Sequence, residues 1–319
     1  MSRSPLSRTL SPTLSKSTSR RSVLALTGGA AATLAGASLA PPAFAFDLLK
    51  GSGLQGLTQS AGTIAQGFML SEGDEIQMGK TYYPEYLTKS GGAYDNANAQ
   101  AALKAFAEPL IATSARKDLP WEITLVKNDA VNAWALPGGK LAINSGLVHY
   151  STDPNQLASV IAHEIGHAEL SHGLQQMKTQ AFMSGLSQAG QLAIAATLGA
   201  AAPLTNQVFG ALQGPLFNLI NAGYSREREF QADNHILDVF TKTGNDPAKA
   251  DDFFRTLLKL YPPSDSSTTS LFSTHPGTQD RINKIEARAS SMKAGGASSD
   301  KNFAALKDIL PTPSNFDAG

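Results

Sequence analysis

The chain has 319 residues, of which 42% are hydrophobic and 16% charged, and it contains no cysteine. The absence of cysteine excludes a disulfide framework, thiolate-bound zinc, an iron–sulfur cluster and a cysteine nucleophile. The 26 basic and 26 acidic side chains balance, but five of the basic residues and none of the acidic ones lie in the first 45 positions. The remainder is therefore mildly acidic, and nucleic acid is not predicted as a partner.

Residues 1–45 have the pattern of an export signal. Arg20 and Arg21 precede an apolar run of alanine, glycine and leucine, and a small-x-small cleavage pattern ends at Ala45. The arrangement resembles a twin-arginine signal. An uncleaved membrane anchor is the alternative, but the cleavage pattern directly follows a run diluted by glycine and threonine. We predict cleavage near Ala45 and a mature protein in the periplasm.

The rest of the chain is predicted as a flexible segment (46–70), a folded domain (71–292) and a mobile C-terminal tail (293–319). Helical periodicity and capping residues predict helices at 71–89, 98–115, about 153–176, 224–240, 247–260 and 278–292. Short β-branched or alternating segments predict strands at 121–126, 133–136 and 141–144. The predicted fold class is α+β, predominantly helical, with a small β-sheet beside the active-site helix.

An uncharged span of 47 residues, 179–225, interrupts the domain. Its glutamine, asparagine and proline residues leave no clean apolar window of membrane-spanning length. We interpret it as a pair of amphipathic or loosely packed helices, with peripheral contact to a membrane or a partner as the alternative.

One segment has the residue types and the spacing of a catalytic metal site. Residues 163–167 read His-Glu-Ile-Gly-His, which is the H-E-x-x-H pattern. On a helix, side chains four residues apart project from one face, so His163 and His167 can bind the same Zn²⁺. Glu164 then lies beside them as the general base. Chance occurrence of the pattern is the alternative.

A zinc site of this kind needs a third protein ligand. The position six residues after His167 is a glycine, and His172 falls one place short of it. Glu229 and Asp233 lie one helical turn apart, so Glu229 can bind the metal while Asp233 accepts the free N–H of a ligating histidine. A solvated helix face is the alternative for both. The remaining histidines have no predicted partners and are assigned structural roles: His149, His172 and His235.

Several motifs, in the same order along the chain, resemble those of one protein family. They occupy residues 71–76 with Gly79, 132–139, 163–167, 225–233, and 273–276 followed by Arg281 and Ile282. The family is the HtpX/CAAX-prenyl-protease family of gluzincin zinc metallopeptidases (metallopeptidase family 48), in its soluble periplasmic BepA-like branch. The resemblance implies a gluzincin catalytic domain. It also implies one zinc ion per chain, held by His163, His167 and Glu229, with Glu164 as general base.

The segment before Pro137-Gly138-Gly139 is predicted to bind substrate. A strand with an open edge can accept an extended peptide through backbone hydrogen bonds. We expect Asn132 to anchor the substrate backbone and Ala133 and Trp134 to line the cleft. A plain hairpin with Trp134 in the core is the alternative.

The resemblance assigns two further residues to the catalytic centre. His275 is expected near the zinc, either as a removable fourth ligand or as a donor to the tetrahedral oxyanion. Arg281 is expected near the same site, with a structural ion pair as the alternative.

The predicted function is a zinc-dependent endopeptidase that hydrolyses peptide bonds in unfolded or misassembled envelope proteins. The alternative is a zinc-stabilised chaperone or assembly factor that binds such clients without cleaving them. The oligomeric state is not predicted.

Overall fold

The computed structural model describes residues 71–177, 222–261, 278–295 and 300–314, together with 179, 213, 214, 216–218, 220, 275 and 316. The predicted export signal, the segment 46–70 and most of the uncharged span 179–225 lie outside the described residues.

In the described part of the chain, helices predominate and three strands form one sheet, which confirms the predicted fold class. The helices are α1 (Glu72–Lys89), α2 (Ala97–Ile111), α3 (Ser145–Tyr150), α4 (Pro154–Glu169), α5 (Arg226–Thr243), α6 (Asp252–Leu260), α7 (Thr278–Ala289) and α8 (Lys301–Ile309), with a 3₁₀ turn at Pro247–Lys249. The strands are β1 (Glu122–Val126), β2 (Ala133–Leu136) and β3 (Lys140–Asn144).

Local side-chain hydrogen bonds fix where the helices begin. At α1, Ser71 and Asp74 form a capping box, in which each side chain accepts from the other residue's backbone N–H. Asp153 accepts from the N–H of Asn155 at the start of α4, where Pro154 supplies a helical φ without a donor. Ser225 accepts from the N–H of Arg228 at the start of α5.

The sheet has the order β1-β3-β2, with β1 parallel and β2 antiparallel to β3. The predicted hairpin around Pro137-Gly138-Gly139 is therefore confirmed as the β2–β3 connection. Gly138 has a φ of 77°, and a Cβ there would lie 2.9 Å from the carbonyl oxygen of Glu75. This close approach packs the turn against α1, and the strand order places β2 at one edge of the sheet.

Helix α4 is the centre of the fold. Its residues from Asn155 to Ala168 are buried, and it packs against α2, α5, α6 and strand β2. A helix that is buried on all sides holds its side chains in fixed positions, because the interior is close-packed. The helix ends at Glu169, earlier than predicted, and Ser171 adopts a left-handed conformation with a φ of 51°.

The segment predicted as a tail with one short helical patch contains a packed helix. Residues 301–309 form α8, which packs against α2 and α3. Phe303 and Leu306 are buried in the main core, and the Lys307 ammonium donates to the last carbonyls of α3. A nine-residue helix is marginal by itself in water, so the burial of its apolar face stabilises it.

Among the described residues, no helix combines the length and the apolar character needed to cross a membrane.

Candidate metal centre

Helix α4 places three polar side chains of the H-E-x-x-H pattern in a buried position. His163, Glu164 and His167 are each no more than 2% exposed. The Nε2 atoms of His163 and His167 face each other at 3.0 Å, which confirms the predicted shared face. Two ring nitrogens this close together can bind the same metal ion.

Two residues from distant parts of the chain complete the cluster. His163, His167, Glu229 and His275 each offer one ligand atom, and these four atoms lie within 4.8 Å of one another. Glu229 comes from the first turn of α5, and its Oε2 lies 3.5 Å from Nε2 of His163 and 3.0 Å from Nδ1 of His275. Two imidazoles and a carboxylate are a donor set suited to Zn²⁺, so the residues present fit a metal site.

Glu164 lies beside the cluster and differs from its members. Among the described residues, neither of its carboxylate oxygens has a hydrogen-bond partner. His275 Nε2 lies 3.5 Å from Oε1. Burial raises the pKa of Glu164 above its usual value, because the charged form is poorly solvated. A buried carboxylate without hydrogen-bond partners costs free energy, so a catalytic role is one explanation for its presence.

Asp233 and Arg281 form an ion pair directly behind His163. Arg281 donates through Nε and Nη2 to the two oxygens of Asp233, at 2.8 and 2.6 Å, and its Nη1 lies 2.9 Å from Glu229. Asp233 Oδ1 is 3.1 Å from Nδ1 of His163. Burial alone would raise the pKa of Asp233, but Arg281 and His163 outweigh it and lower the pKa. Glu229 and Asp233 are thus buried partners of the cluster, and the solvated-face alternative does not hold for them.

The structure therefore places Arg281 in the ion pair that was the alternative to a catalytic role. The guanidinium also lies over the ring of Phe254, 4.6 Å from its centroid. Its contacts stabilise the position of Asp233 and Glu229.

His167 has two neighbours that the sequence did not indicate. Its Nδ1 lies 2.9 Å from Nδ1 of His172, whose Nε2 lies 2.9 Å from the side-chain oxygen of Gln231. Tyr224 stacks on the His167 ring, with centroids 4.1 Å apart and an angle of 17°. Burial lowers the pKa of His172 to about 4. The prediction that His172 has no polar partner is wrong.

The other two histidines with predicted structural roles lie outside the cluster. His149 contacts the carbonyl of Pro311, and His235 lies 3.8 Å from Glu169.

The predicted substrate-binding residues separate into two groups. Trp134 is 4% exposed and packs edge-on against Tyr83 and Tyr86 of α1, so it lies in the core, as the alternative had it. Ala133 points to the opposite face of β2, into the core shared with α4. The carbonyl of Asn132 accepts a hydrogen bond from the N–H of Asn144. Among the described residues, β2 pairs only with β3, so β2 is an edge strand of the sheet.

Comparison with known proteins gives a family match that includes the cluster. Residues 97–289 match the profile described as Peptidase family M48. The beta-barrel assembly-enhancing protease of Escherichia coli (strain K12) is 30% identical over 242 residues, which are 74% of this chain and 48% of the relative. The metalloprotease LoiP of the same strain is 27% identical over 235 residues, 74% of this chain and 88% of the relative. The metalloprotease YcaL is 35% identical over 163 residues, 51% and 60% of the two chains. The chain thus spans about half the length of the assembly-enhancing protease.

Proposed function

The chain belongs to peptidase family M48, and from that premise we propose that it is a zinc-dependent endopeptidase. The observation that carries the proposal is Glu164, a buried carboxylate with no hydrogen-bond partner among the described residues. It adjoins a cluster of metal-binding side chains within 4.8 Å of one another. His163, His167 and Glu229 are the proposed zinc ligands.

The proposed mechanism assigns one task to each group. Zinc, when bound, supplies a Lewis acid that polarises the scissile carbonyl and acidifies water. Glu164 takes a proton from the attacking water and transfers it to the nitrogen of the leaving amine. Its raised pKa makes the carboxylate a stronger base for the first of these transfers. Asp233 accepts the Nδ1–H of His163 and fixes the ring tautomer.

Substrate is proposed to bind along the free side of β2. An extended peptide can add to an edge strand through backbone hydrogen bonds, which do not depend on side-chain identity. This mode of binding favours unfolded chains, because folded proteins rarely expose an extended segment. Unfolded or misassembled envelope proteins in the periplasm are the proposed substrates, supported by the resemblance to a protein named beta-barrel assembly-enhancing protease.

The function is tested with Glu164→Gln, which keeps the shape of the side chain but removes its ability to take a proton. We expect this variant to retain zinc and to cleave casein about 10²–10⁴-fold more slowly than the parent protein. Metal analysis and gel or fluorescence assays of casein digestion measure the two quantities. A variant that still cleaves casein at the parent rate would refute the role of Glu164. A parent protein that binds zinc and protects unfolded clients, yet yields no fragments, would favour the chaperone alternative.

His275 is proposed as a fourth ligand that must leave before substrate can react. Its Nδ1 lies 3.2 Å from Nε2 of His163 and 3.0 Å from Glu229, and the residue is 4% exposed, so it fills the space beside the proposed ligands. We expect His275→Ala to increase the initial rate of casein cleavage, because the site then opens without displacing a side chain. A decrease in that rate at full zinc occupancy would instead show the oxyanion-donor role.

A further inference from the structure

The two histidines of α4 have different partners on their outer ring nitrogens. Their Nε2 atoms face each other across the cluster at 3.0 Å, so each Nδ1 points outward. Nδ1 of His163 meets the carboxylate of Asp233 at 3.1 Å. Nδ1 of His167 meets another imidazole, that of His172, at 2.9 Å.

The contact between the two imidazoles has only one consistent arrangement of protons. A nitrogen that binds a metal must be unprotonated, so His167 bound through Nε2 carries its proton on Nδ1. That N–H can donate only if Nδ1 of His172 is an acceptor, which places the His172 proton on Nε2. Nε2 of His172 lies 2.9 Å from the amide oxygen of Gln231, which is an acceptor. Each donor in this series therefore meets an acceptor.

The backbone at the end of α4 makes the arrangement possible. On a continuous helix, the side chain five residues after His167 would point about 140° away from it. The helix ends at Glu169, and Ser171, with its φ of 51°, turns the chain so that His172 returns to the cluster. Ser171 is held in this conformation by Arg116, whose Nη1 donates to its hydroxyl at 2.6 Å.

We propose that His172 is the positioning residue of His167, with Gln231 as the end of the hydrogen-bond relay. The relay holds the His167 ring in the tautomer and orientation in which Nε2 faces the metal. Helix α5 then controls both histidines, His163 directly through Asp233 and His167 indirectly through Gln231. The inference rests on the proposed function, in which His167 is a zinc ligand.

The test compares zinc affinity among variants of the full chain, measured by competition with a chromogenic chelator. His172→Leu removes the acceptor, and we expect zinc to bind about 10–100-fold more weakly, as for other partners of metal-binding histidines. His172→Asn places an amide oxygen near the position of Nδ1, and we expect it to recover most of the lost affinity. His149→Leu is the matched control, because His149 lies away from the cluster, and its affinity should equal that of the parent.

A leucine variant that binds zinc as tightly as the parent would overturn the inference. The inference would also be overturned if His172→Asn bound zinc no more tightly than His172→Leu while circular dichroism showed both variants to be folded. A role in packing alone predicts this result, because it does not depend on a hydrogen-bond acceptor at position 172.

If His172→Leu does not fold, Gln231→Leu decides the question. Gln231 is exposed on α5, so its replacement leaves the core intact. Weaker zinc binding, with a change in the visible spectrum of the cobalt-substituted protein, supports the relay; an unchanged affinity and spectrum overturn it. A parent protein that binds no zinc would refute the proposed function itself. If the parent binds zinc and the variants bind it with the same affinity, only this inference is refuted.

Discussion

Arg281 is the largest fully buried side chain of the described residues, and its charge is neutralised by two carboxylates. Removing one partner of a buried ion pair leaves an uncompensated charge in a medium that solvates it poorly. The ion pair also holds Asp233 against His163. The same ion pair therefore stabilises the fold and positions Asp233 beside His163.

We predict that Arg281→Met lowers the free energy of unfolding by about 3–5 kcal/mol, because Asp233 and Glu229 lose their counter-charge. The matched control is Arg288→Met, on the same helix α7. Arg288 also bridges to α5, through Asp238 and Asn234, but its side chain is 39% exposed, and it should cost at most about 1 kcal/mol. Urea unfolding followed by circular dichroism measures both. Equal costs for the two variants would contradict the prediction.

At the level of single residues, the sequence predicts which side chains lie together when they belong to the same helix. His163, Glu164 and His167, and likewise Glu229 and Asp233, are related by the repeat of one helix, so their shared faces follow from spacing. The contact of His172 with His167 was not predictable, because it depends on a positive φ at Ser171. Serine is not a residue type that signals this conformation. Trp134 shows the converse: alternation predicts which residues share a face of β2 but not which face meets the cleft.

Helix α8 shows how much an element can depend on residues far away in sequence. Its flanks are rich in serine, glycine and proline, and their composition predicts a mobile tail. Its apolar face is buried only because α2 and α3 present complementary surfaces. The parallel pairing of β1 with β3 also depends on residues that are distant in the sequence. The turn residues at Pro137-Gly138-Gly139 predict only the pairing of β2 with β3.

We predict that Leu306→Ala lowers the free energy of unfolding by about 2–5 kcal/mol, the usual cost of deleting a fully buried leucine side chain. Lys301→Ala, at an exposed position of the same helix, should change it by less than about 0.5 kcal/mol. Chemical unfolding of both variants provides the comparison. If α8 were a mobile tail, the two substitutions would have equally small effects.

On the scale of the whole molecule, the proposed metal cluster brings together parts of the fold that are far apart in the sequence. Its members come from α4, from α5 and from position 275. A ligand that binds only the folded state stabilises it by an amount that depends on its concentration relative to its dissociation constant.

We therefore predict that removing zinc with a chelator lowers the melting temperature. At a zinc concentration of about 100 times the dissociation constant the stabilisation is about 2.7 kcal/mol, which corresponds to roughly 5–10 °C for a domain of this size. Differential scanning fluorimetry with chelator, and then with added zinc, measures the shift and its reversal. Glu229→Ala is the control and should melt at the same temperature with or without chelator. A parent protein that is insensitive to the chelator would contradict the prediction.

The separation of His163 from His275 by 112 positions has a consequence for when the protein can act. During synthesis, the H-E-x-x-H helix emerges long before the residues that complete the cluster. A partial or unfolded chain holds at most the local pair of histidines, since donors this distant meet only after loop closure and packing. The cluster is thus completed late in folding, and an immature copy lacks the proposed catalytic centre. Any activity that depends on this cluster therefore appears only together with the native fold.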